Sequence, residues 1–244
     1  MKISVITSTF NSEQYLEENL RALKTQTYQN FEHIIYDNCS TDKTHKIIEK
    51  YKDHRTKLHI EQDKGIFFAL NKCLKKVTGD LIFLYCSDDL LIDKELFSKV
   101  NENFFSNNDI IATSVKIVNQ KSLKRSRLWK APKKINRILL PPHTGLFIGS
   151  IYKNYYFDEK YRISSDFKYL RNIFNNKNIN YIPLDINSVA QRDGGNSTKF
   201  KNQFKKAIED IKILQEENFI NIFLYPLKIS YKIIQYINLT KKIK

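Results

Sequence analysis

The chain has few of the residues that hold small secreted or fibrous proteins together. Its 244 residues include six glycines, five prolines and three cysteines. Cys39, Cys73 and Cys86 are odd in number, lie far apart and never form a CxxC pair. This pattern argues against a disulfide framework and is typical of reduced thiols in a cytosolic protein.

Export signals and long apolar runs are also missing. The N-terminal segment enters an alternating strand pattern within three residues and has no apolar core or cleavage site of a signal peptide. The longest apolar stretch, residues 219–239, is interrupted by Pro226, Lys228 and Lys232. It therefore does not meet the criterion of roughly 20 uninterrupted apolar residues for a spanning helix, although it permits a helix lying on a membrane.

Acidic residues are scarce relative to basic ones. The chain has 41 Lys and Arg against 26 Asp and Glu, a formal net charge of +15, which predicts anionic partners. Residues 110–157 contain no acid and the following cations: Lys116, Lys121, Lys124, Arg125, Arg127, Lys130, Lys133, Lys134, Arg137 and Lys153. This basic segment is either a solvated loop or hairpin, or a surface that meets phosphate.

Residues 2–118 alternate between short β-branched runs and longer stretches with helical spacing, which predicts an α/β fold with a mostly parallel sheet. We expect strands over 2–7, 32–36, 58–61, 81–85 and 110–118, and helices over 12–25, 42–51, 65–77 and 93–105. Further on, HTGLFIGS predicts a strand, residues 166–174 a helix and residues 181–184 a short strand.

The C-terminal residues 199–244 form a basic amphipathic pattern with ten Lys and four acids. Apolar positions punctuated by Lys are typical of a helix lying in a membrane interface. The alternative is a helix packed on the core of the protein itself. We treat 199–244 as a helical tail and 1–198 as one domain, with a nucleotide-binding half over 1–118 and an acceptor half over 119–198.

Polar and acidic residues follow the predicted strands, in Ser8 to Asn11, Asp37 to Asp42 and Ser87 to Asp89. In an open α/β sheet, ligands bind outside the carboxyl ends of the strands. Neither GxGxxG nor GxxxxGK[ST] is present, so a bound diphosphate needs another partner for its charge. The adjacent carboxylates of Asp88 and Asp89 would repel each other unless a hard cation such as Mg²⁺ or Mn²⁺ neutralised them.

The segments SVITSTFN, QTYQNFEHIIYDNCSTDKT, DKGIFFALNKC and GDLIFLYCSDD occur in this order. They resemble the family 2 inverting glycosyltransferases, which have the GT-A fold, a Rossmann-like sheet flanked by helices. Family members typically read V-x-P-T-Y-N, Q-T-Y-x-x-x-E-x-I-x-x-D-D-G-S-T-D, D-x-G-x-x-x-A-x-N-x-G and G-D-x-x-x-x-L-x-x-D-D. With the later HTGLFIG, SSDFKYLRNI and GGNST, the resemblance covers about residues 2–198.

The resemblance implies a role for each matching position. Ser8 and Phe10 would lie at the nucleotide, with Phe10 against the base, and Asp37 or Asn38 would accept a hydrogen bond from the base. Asp63 and Asn71 would shape the nucleotide pocket, Asp88 would contact the ribose, Asp89 would bind Mn²⁺ or Mg²⁺, and Asp166 would be the general base. His143, Trp129 and Arg192 are candidate contacts to donor or acceptor; Trp129 could equally pack against the sheet.

Some positions depart from the family pattern. Ser8 replaces the usual proline, Asn38 replaces the second aspartate and Cys39 replaces the glycine of DDGS. Ser165 stands where an acid often precedes the catalytic aspartate, which leaves Asp166 as the carboxylate at that position.

The resemblance implies metal-assisted transfer, with inversion, of a hexose or N-acetylhexosamine from a UDP-sugar. The expected acceptor is a lipid-diphosphate-linked saccharide in bacterial O-antigen, capsule or lipooligosaccharide synthesis, at the cytoplasmic face of an anionic membrane. The alternative from the charge alone is a basic nucleic-acid-binding protein without catalysis, which would not need Asp88, Asp89 or Asp166. With the family motifs present, we expect no nucleic-acid partner.

Overall fold

The computed structural model describes residues 1–120, 122–135, 140–193 and 200–217, together with Phe223, Tyr225, Pro226, Ile229 and Ser230. Lys121 and Arg137 of the basic segment, the GGNST stretch and half of the predicted 199–244 tail therefore lie outside the described residues.

The secondary structure alternates strands and helices over the first half of the chain, as predicted. The strands are β1 (Ile3–Thr9), β2 (Phe31–Asp37), β3 (Thr56–Ile60), β4 (Leu81–Leu84), β5 (Leu90–Leu91), β6 (Asp109–Val118), β7 (Arg125–Trp129), β8 (Leu146–Gly149) and β9 (Asn180–Arg192). The α-helices are α1 (Leu16–Lys24), α2 (Thr44–Tyr51), α3 (Ile66–Leu74), α4 (Leu96–Glu102), α5 (Ser165–Phe174) and α6 (Phe200–Glu217). Two 3-10 turns cover His143–Gly145 and Ser150–Asn154.

The described strands form a single mixed sheet in the order β3-β2-β1-β4-β8-β6-β9-β5, with β7 paired to β6. Strands β1 to β4 are mutually parallel, and β6 and β9 run in the same direction as they do. Strands β5, β7 and β8 run the opposite way. The prediction of a mostly parallel sheet holds for strand direction, but every neighbour of β8 is antiparallel.

Helices cover both faces of the sheet. On one face, alternate strand residues such as Ile34 and Ile82 pack against α3 and α5. On the other face, Phe83 and Phe147 stack with ring centroids 4.4 Å apart and meet Phe97 of α4. Because the central strands are buried on both sides, their sequences read as nearly continuous apolar runs.

Strand β9 is longer than predicted. It has 13 residues instead of the expected four and pairs along the whole of β6, from Asp109 opposite Asn180 to Val118 opposite Arg192. Its second half, INSVAQR, mixes small and polar residues, so its sequence carries little strand signal. The extension brings Arg192 to the edge of the sheet at which β4 ends.

Helix α6 does not behave as the start of a separate tail. Its residues Glu216 and Glu217 pair with Lys160, Lys168 and Arg171, so the helix is docked on α5. The amphipathic pattern of residues 199–244 predicts instead that this helix belongs to the tail. In the part of the chain that the structure describes, no helix is both long and apolar enough to cross a membrane.

Glu32 anchors the outer part of the sheet from a buried position. One carboxylate oxygen accepts hydrogen bonds from the Ser4 hydroxyl at 2.6 Å and from the Thr78 N–H at 2.8 Å, while the other accepts from Lys57 Nζ at 2.7 Å and Lys2 Nζ at 3.2 Å. Burial alone would raise the pKa of Glu32, but these donors outweigh it and lower the pKa to about 2.

Replacing Glu32 by Gln is expected to lower the free energy of unfolding at pH 7 by about 3 kcal/mol. Because the pKa of Glu32 is lower in the folded protein than in the unfolded chain, its charge stabilises the fold at pH values above the unfolded-state pKa. The difference in unfolding free energy between wild type and E32Q should therefore shrink as pH falls below about 4.5 towards 2. Urea denaturation at several pH values measures this. E61Q is the control, because Glu61 is 58% exposed in its pair with Lys72 and should change stability by only about 0.5 kcal/mol. If the difference in unfolding free energy between E32Q and wild type did not change with pH, the ionised carboxylate of Glu32 would not be what stabilises the fold.

Candidate active site

The candidate site lies at the edge of the sheet where β1, β2 and β4 end. Because β8 runs antiparallel to β4, its start lies at this same edge, directly after the His143–Gly145 turn. Strand β6 also ends here, beside Arg192 at the end of β9. Six strand ends from distant parts of the sequence thus meet at one edge of the sheet.

The loops after β1 and β2 are bonded to each other. Asn11 N–H donates to the Ser40 hydroxyl and Ser12 N–H donates to the Thr44 hydroxyl, both at 2.8 Å. Asn11 and Cys39 have φ values of 48° and 53°, so this glycine-poor chain uses an asparagine and a cysteine in the left-handed region. Phe10, at the tip, is 58% exposed. The joined loops present a free aromatic face to solvent.

Asp37 is fully buried and is used to hold these loops. Its carboxylate accepts hydrogen bonds from the hydroxyls of Thr9 and Ser40, both at 2.6 Å, from Ser40 N–H at 2.7 Å and from His45 Nε2 at 2.6 Å. Burial opposes ionisation, but these donors outweigh it and lower the pKa of Asp37. Asp37 is one of the two residues predicted to bond the nucleotide base, but both of its carboxylate oxygens already accept hydrogen bonds from the protein.

Asn38 is half-buried beside the exposed loop tip. Its Oδ1 accepts a hydrogen bond from Asp63 N–H at 2.7 Å, and the Asp63 carboxylate in turn accepts from Gly65 N–H at 2.7 Å. Burial raises the pKa of Asp63. The pair joins the end of β2 to the start of α3, and the structure leaves Asn38 as the better placed of the two candidates for a base contact.

Asp88 and Asp89 lie in the turn between β4 and β5. The side-chain amide of Asn19 donates to the carbonyl oxygens of Cys86 and Asp89, both at 2.8 Å, which holds the turn from α1. Asp89 is 1% exposed, and its Oδ2 has no hydrogen-bond partner among the described residues. Burial raises the pKa of both carboxyls, and the neighbouring Asp88 raises that of Asp89 further.

Arg192 supports the acidic turn from the end of β9. Its Nη1 donates to the Asp88 carbonyl oxygen and its Nη2 to Glu18 Oε2, both at 2.6 Å. The guanidinium also lies over the ring of Tyr15, 4.3 Å from the centroid. Arg192 is 5% exposed, so it fixes the backbone of the acidic turn from beneath.

His143 and Asp166 face each other across the edge. His143 Nδ1 lies 3.2 Å from Asp166 Oδ2. Burial lowers the pKa of His143, and the carboxylates of Asp166 and Asp88 act in the opposite direction, so both acids lie within electrostatic reach of the imidazole. The turn can lie against β6 because residue 145 is glycine: a Cβ there would lie 2.7 Å from the Thr113 carbonyl oxygen. The acidic turn and Asp166 therefore share one edge, with His143 between them.

Comparison with known families agrees with this geometry. The sequence profile of the family described as glycosyl transferase family 2 matches residues 4–159. The chain belongs to this family. It is 32% identical over 134 residues to the poly(ribitol-phosphate) β-N-acetylglucosaminyltransferase TarS of Staphylococcus aureus, covering 52% of this chain and 23% of TarS. It is 29% identical over 140 residues to WfgD of Escherichia coli, a UDP-Glc:α-D-GlcNAc-diphosphoundecaprenol β-1,3-glucosyltransferase, covering 56% of this chain and 54% of WfgD.

Solved structures confirm the GT-A-type fold. TarS residues 1–349 in complex with UDP-GlcNAc superpose with a TM-score of 0.68 at 22% identity, covering 88% of this chain and 66% of that one. A mannosyltransferase from Pyrobaculum calidifontis, solved with GDP-Man and Mn²⁺, superposes with a TM-score of 0.63 at 16% identity, covering 88% and 63%. The aligned parts span about a quarter to a half of the curated relatives.

Three other predicted site residues of this family 2 chain, Ser8, Asn71 and Trp129, lie on β1, α3 and β7. Ser8 is half-buried on β1 opposite Tyr36. Both ends of the Asn71 amide are bonded to Phe157 and Glu159, so Asn71 ties α3 to the segment before α5 instead of offering a group to a nucleotide. Trp129 is half-buried at the end of β7, opposite Val115 of β6, which agrees with packing on the sheet.

Three residues on neighbouring helices support the site and were not predicted from the sequence. His45 bonds Asp37, Asn19 holds the acidic turn, and Glu18 pairs with Arg192. Two of these roles have a weak signal in the sequence. His45 follows Asp37 by eight residues, and Asn19 lies at a buried position of an amphipathic helix. Nothing in the sequence pattern connects Glu18 with Arg192, since 174 positions separate them.

The site fits a divalent cation only together with a ligand. Within the described ranges no three His, Cys, Asp or Glu side chains form a metal centre. However, Asp89 Oδ2 is a buried carboxylate oxygen without a donor among the described residues, next to the half-buried carboxylate of Asp88. Oxygen atoms of this kind suit Mg²⁺ or Mn²⁺, and the remaining ligands would come from phosphate oxygens and water.

Proposed function

We propose that this chain transfers a hexose or N-acetylhexosamine from a UDP-sugar to a saccharide acceptor with inversion at the anomeric carbon. The observation that carries the proposal is the arrangement of Asp88, Asp89, His143 and Asp166 along one edge of the sheet. The UDP-GlcNAc complex of TarS and the substrates named for WfgD support a nucleotide-sugar donor.

The nucleotide would lie across the ends of β1, β2 and β4. Phe10 offers its exposed face to the base, and Asn38 offers its amide to the base edge. Asp88 would accept hydrogen bonds from the ribose hydroxyls. A divalent cation bound at Asp89 would neutralise the diphosphate and stabilise the charge that develops on the leaving group.

Asp166 would act as the general base. Its Oδ1 accepts a hydrogen bond from Phe167 N–H at 2.8 Å, which leaves Oδ2 directed towards His143. Burial lowers the pKa of His143, which favours the neutral ring, and a neutral ring would orient Asp166 without a full charge. Asp166 would take the proton of the acceptor hydroxyl as that oxygen attacks the anomeric carbon.

The acceptor is proposed to be a lipid-diphosphate-linked saccharide of bacterial surface-polysaccharide synthesis, reached at the cytoplasmic face of an anionic membrane. Described side chains of the basic segment support this: Lys116, Lys124, Arg127, Lys130, Lys133 and Lys134 have no carboxylate partner among the described residues. Phe204 and Ile208 of α6 are exposed beside Lys205. Flotation with vesicles rich in anionic lipid should recover the protein at low salt; no association at low or physiological salt would remove the membrane part of the proposal.

The test of the whole proposal is UDP release from a panel of UDP-hexoses and UDP-N-acetylhexosamines, with Mn²⁺ and with EDTA. We expect slow hydrolysis of at least one donor, dependent on the cation and faster with a lipid-linked saccharide. No release from any donor under either condition would contradict the proposal.

Replacing Phe10 by Ala is expected to weaken UDP binding by about 1–3 kcal/mol, because loss of an aromatic stacking partner has this cost per base. Isothermal titration calorimetry with UDP and Mn²⁺ measures it. F105A is the matched control, since Phe105 is 74% exposed in the loop before β6, at the opposite edge of the sheet. Equal UDP affinity in F10A and F105A would show that Phe10 does not meet the base.

A further inference from the structure

Helix α6 lies outside the part of the chain that matches the family profile, which ends at residue 159. It is nevertheless bonded to the segment that carries Asp166. Its C-terminal half pairs with α5 through Glu216, which accepts from Lys160 Nζ at 2.7 Å and Lys168 Nζ at 2.6 Å. Glu217 accepts from Arg171 Nε at 2.6 Å. Two helices far apart in sequence are thus joined as one unit.

The middle of α6 makes a different kind of contact. Glu209 is 7% exposed and accepts three backbone hydrogen bonds from the residues that lead into α5. Its Oε2 receives the N–H groups of Ile163 and Ser164, both at 2.9 Å, and its Oε1 receives that of Arg162 at 3.2 Å. One carboxylate on α6 therefore fixes three consecutive peptide groups.

This contact holds the residues that lead into α5, not the N–H groups of its first turn. Ser164 is the N-cap residue of α5 and makes no side-chain capping hydrogen bond to that helix. Ser164 is fully buried, so its N–H would lose its partner if the Glu209 carboxylate were absent. Asp166 follows two residues later, and its Oδ2 lies 3.2 Å from His143. The position of the base thus depends on a loop that Glu209 holds.

We propose that Glu209 is a positioning residue for Asp166, and that α6 is part of the catalytic unit. The inference rests on the proposed role of Asp166 as the general base. A displacement of about 1 Å at a reacting group can lower turnover by about 10²-fold. Because residues 162–164 set the position of Asp166, the contact with Glu209 should affect the reaction rate and leave nucleotide binding unchanged. The nucleotide side of the site, at Phe10, Asn38 and Asp88, is built from other loops.

The test compares E209Q with K212Q. In E209Q the side chain keeps one acceptor oxygen, but an NH₂ group replaces the other and cannot accept from the backbone N–H groups. K212Q removes a charge from the same helix at an exposed side chain that does not bond residues 162–164. Hydrolysis of the preferred UDP-sugar gives kcat and KM, and calorimetry gives the UDP dissociation constant.

We expect kcat of E209Q to fall by about 10- to 10²-fold, with KM and the UDP dissociation constant within about twofold of wild type. K212Q should keep kcat within about twofold. In a D166N background, E209Q should cause no further loss, because its effect passes through Asp166. Equal effects of the two substitutions, a parallel loss of UDP affinity, or an additional loss in the double variant would each overturn the proposal.

Amide hydrogen exchange supplies a readout independent of activity. In wild type, the N–H groups of residues 162–164 should be protected, and in E209Q they should exchange at least about tenfold faster. If E209Q does not fold, rapid exchange of these amides in wild type would still overturn the inference. The proposed function fails separately: if D166N itself keeps wild-type turnover, the base assignment is wrong, whereas a damaged D166N with an unaffected E209Q removes only the role of Glu209.

Discussion

Replacing Asp166 by Asn is expected to lower turnover by about 10²–10⁴-fold, because the amide cannot take the proton of the acceptor hydroxyl. UDP affinity should stay within about twofold of wild type, since the nucleotide side of the site is formed by the loops after β1, β2 and β4. Steady-state kinetics and UDP calorimetry on the same preparation separate the two effects.

D185N is the matched control for this substitution. Asp185 is exposed on β9 and should tolerate the same change with less than twofold loss. The side chains of Asp166 and His143 are 23% and 24% exposed, so loss of their contact should have little effect on stability. A D166N variant that kept a substantial fraction of wild-type turnover would contradict the assignment of the base.

Replacing Asp89 by Asn is expected to reduce turnover by about 10²–10³-fold, the range for loss of one electrostatic stabiliser of the leaving group. It should also abolish the increase in UDP affinity that Mn²⁺ produces. The reason is that the Oδ2 of this buried carboxylate has no donor among the described residues and is available to a hard cation.

The stability of D89N distinguishes this explanation from a general loss of structure. The buried carboxyl has a raised pKa, caused by desolvation and by Asp88, so removing its charge should leave the metal-free protein as stable as wild type or more stable. Thermal unfolding with and without Mn²⁺ plus UDP measures this. A D89N protein that retained cation-dependent UDP binding would show that Asp89 is not the metal ligand.

The sequence predicted the elements that are locally encoded. Strands β1, β2, β4 and β6 are apolar runs, and they lie within two residues of their predicted bounds. The end of each run placed Phe10, Asp37, Asn38 and the acidic pair at one edge of the sheet. Helix α1 was predicted to begin at residue 12 but begins at Leu16, because residues 11–13 are bonded to the loop after β2.

The rest depends on long-range contacts that spacing does not encode. Asp37 and Asn38 are equivalent by sequence, and only the buried bonds from Thr9, Ser40 and His45 show that Asp37 is internal. The role of β9 depends on its pairing with β6, and Glu209 contacts the residues before α5 across more than 40 positions. Helix α6 was predicted as part of a cationic tail because Lys residues outnumber acids over 199–244 as a whole, whereas the acids of α6 make its contacts with the domain.

The most direct measurement of the central claim is time-resolved proton NMR of the sugar first released from an α-linked UDP-sugar. If a carboxylate at Asp166 activates the incoming oxygen on the face opposite the diphosphate, the β-anomer should appear first and then mutarotate. Appearance of the α-anomer first would contradict single displacement at this edge of the sheet.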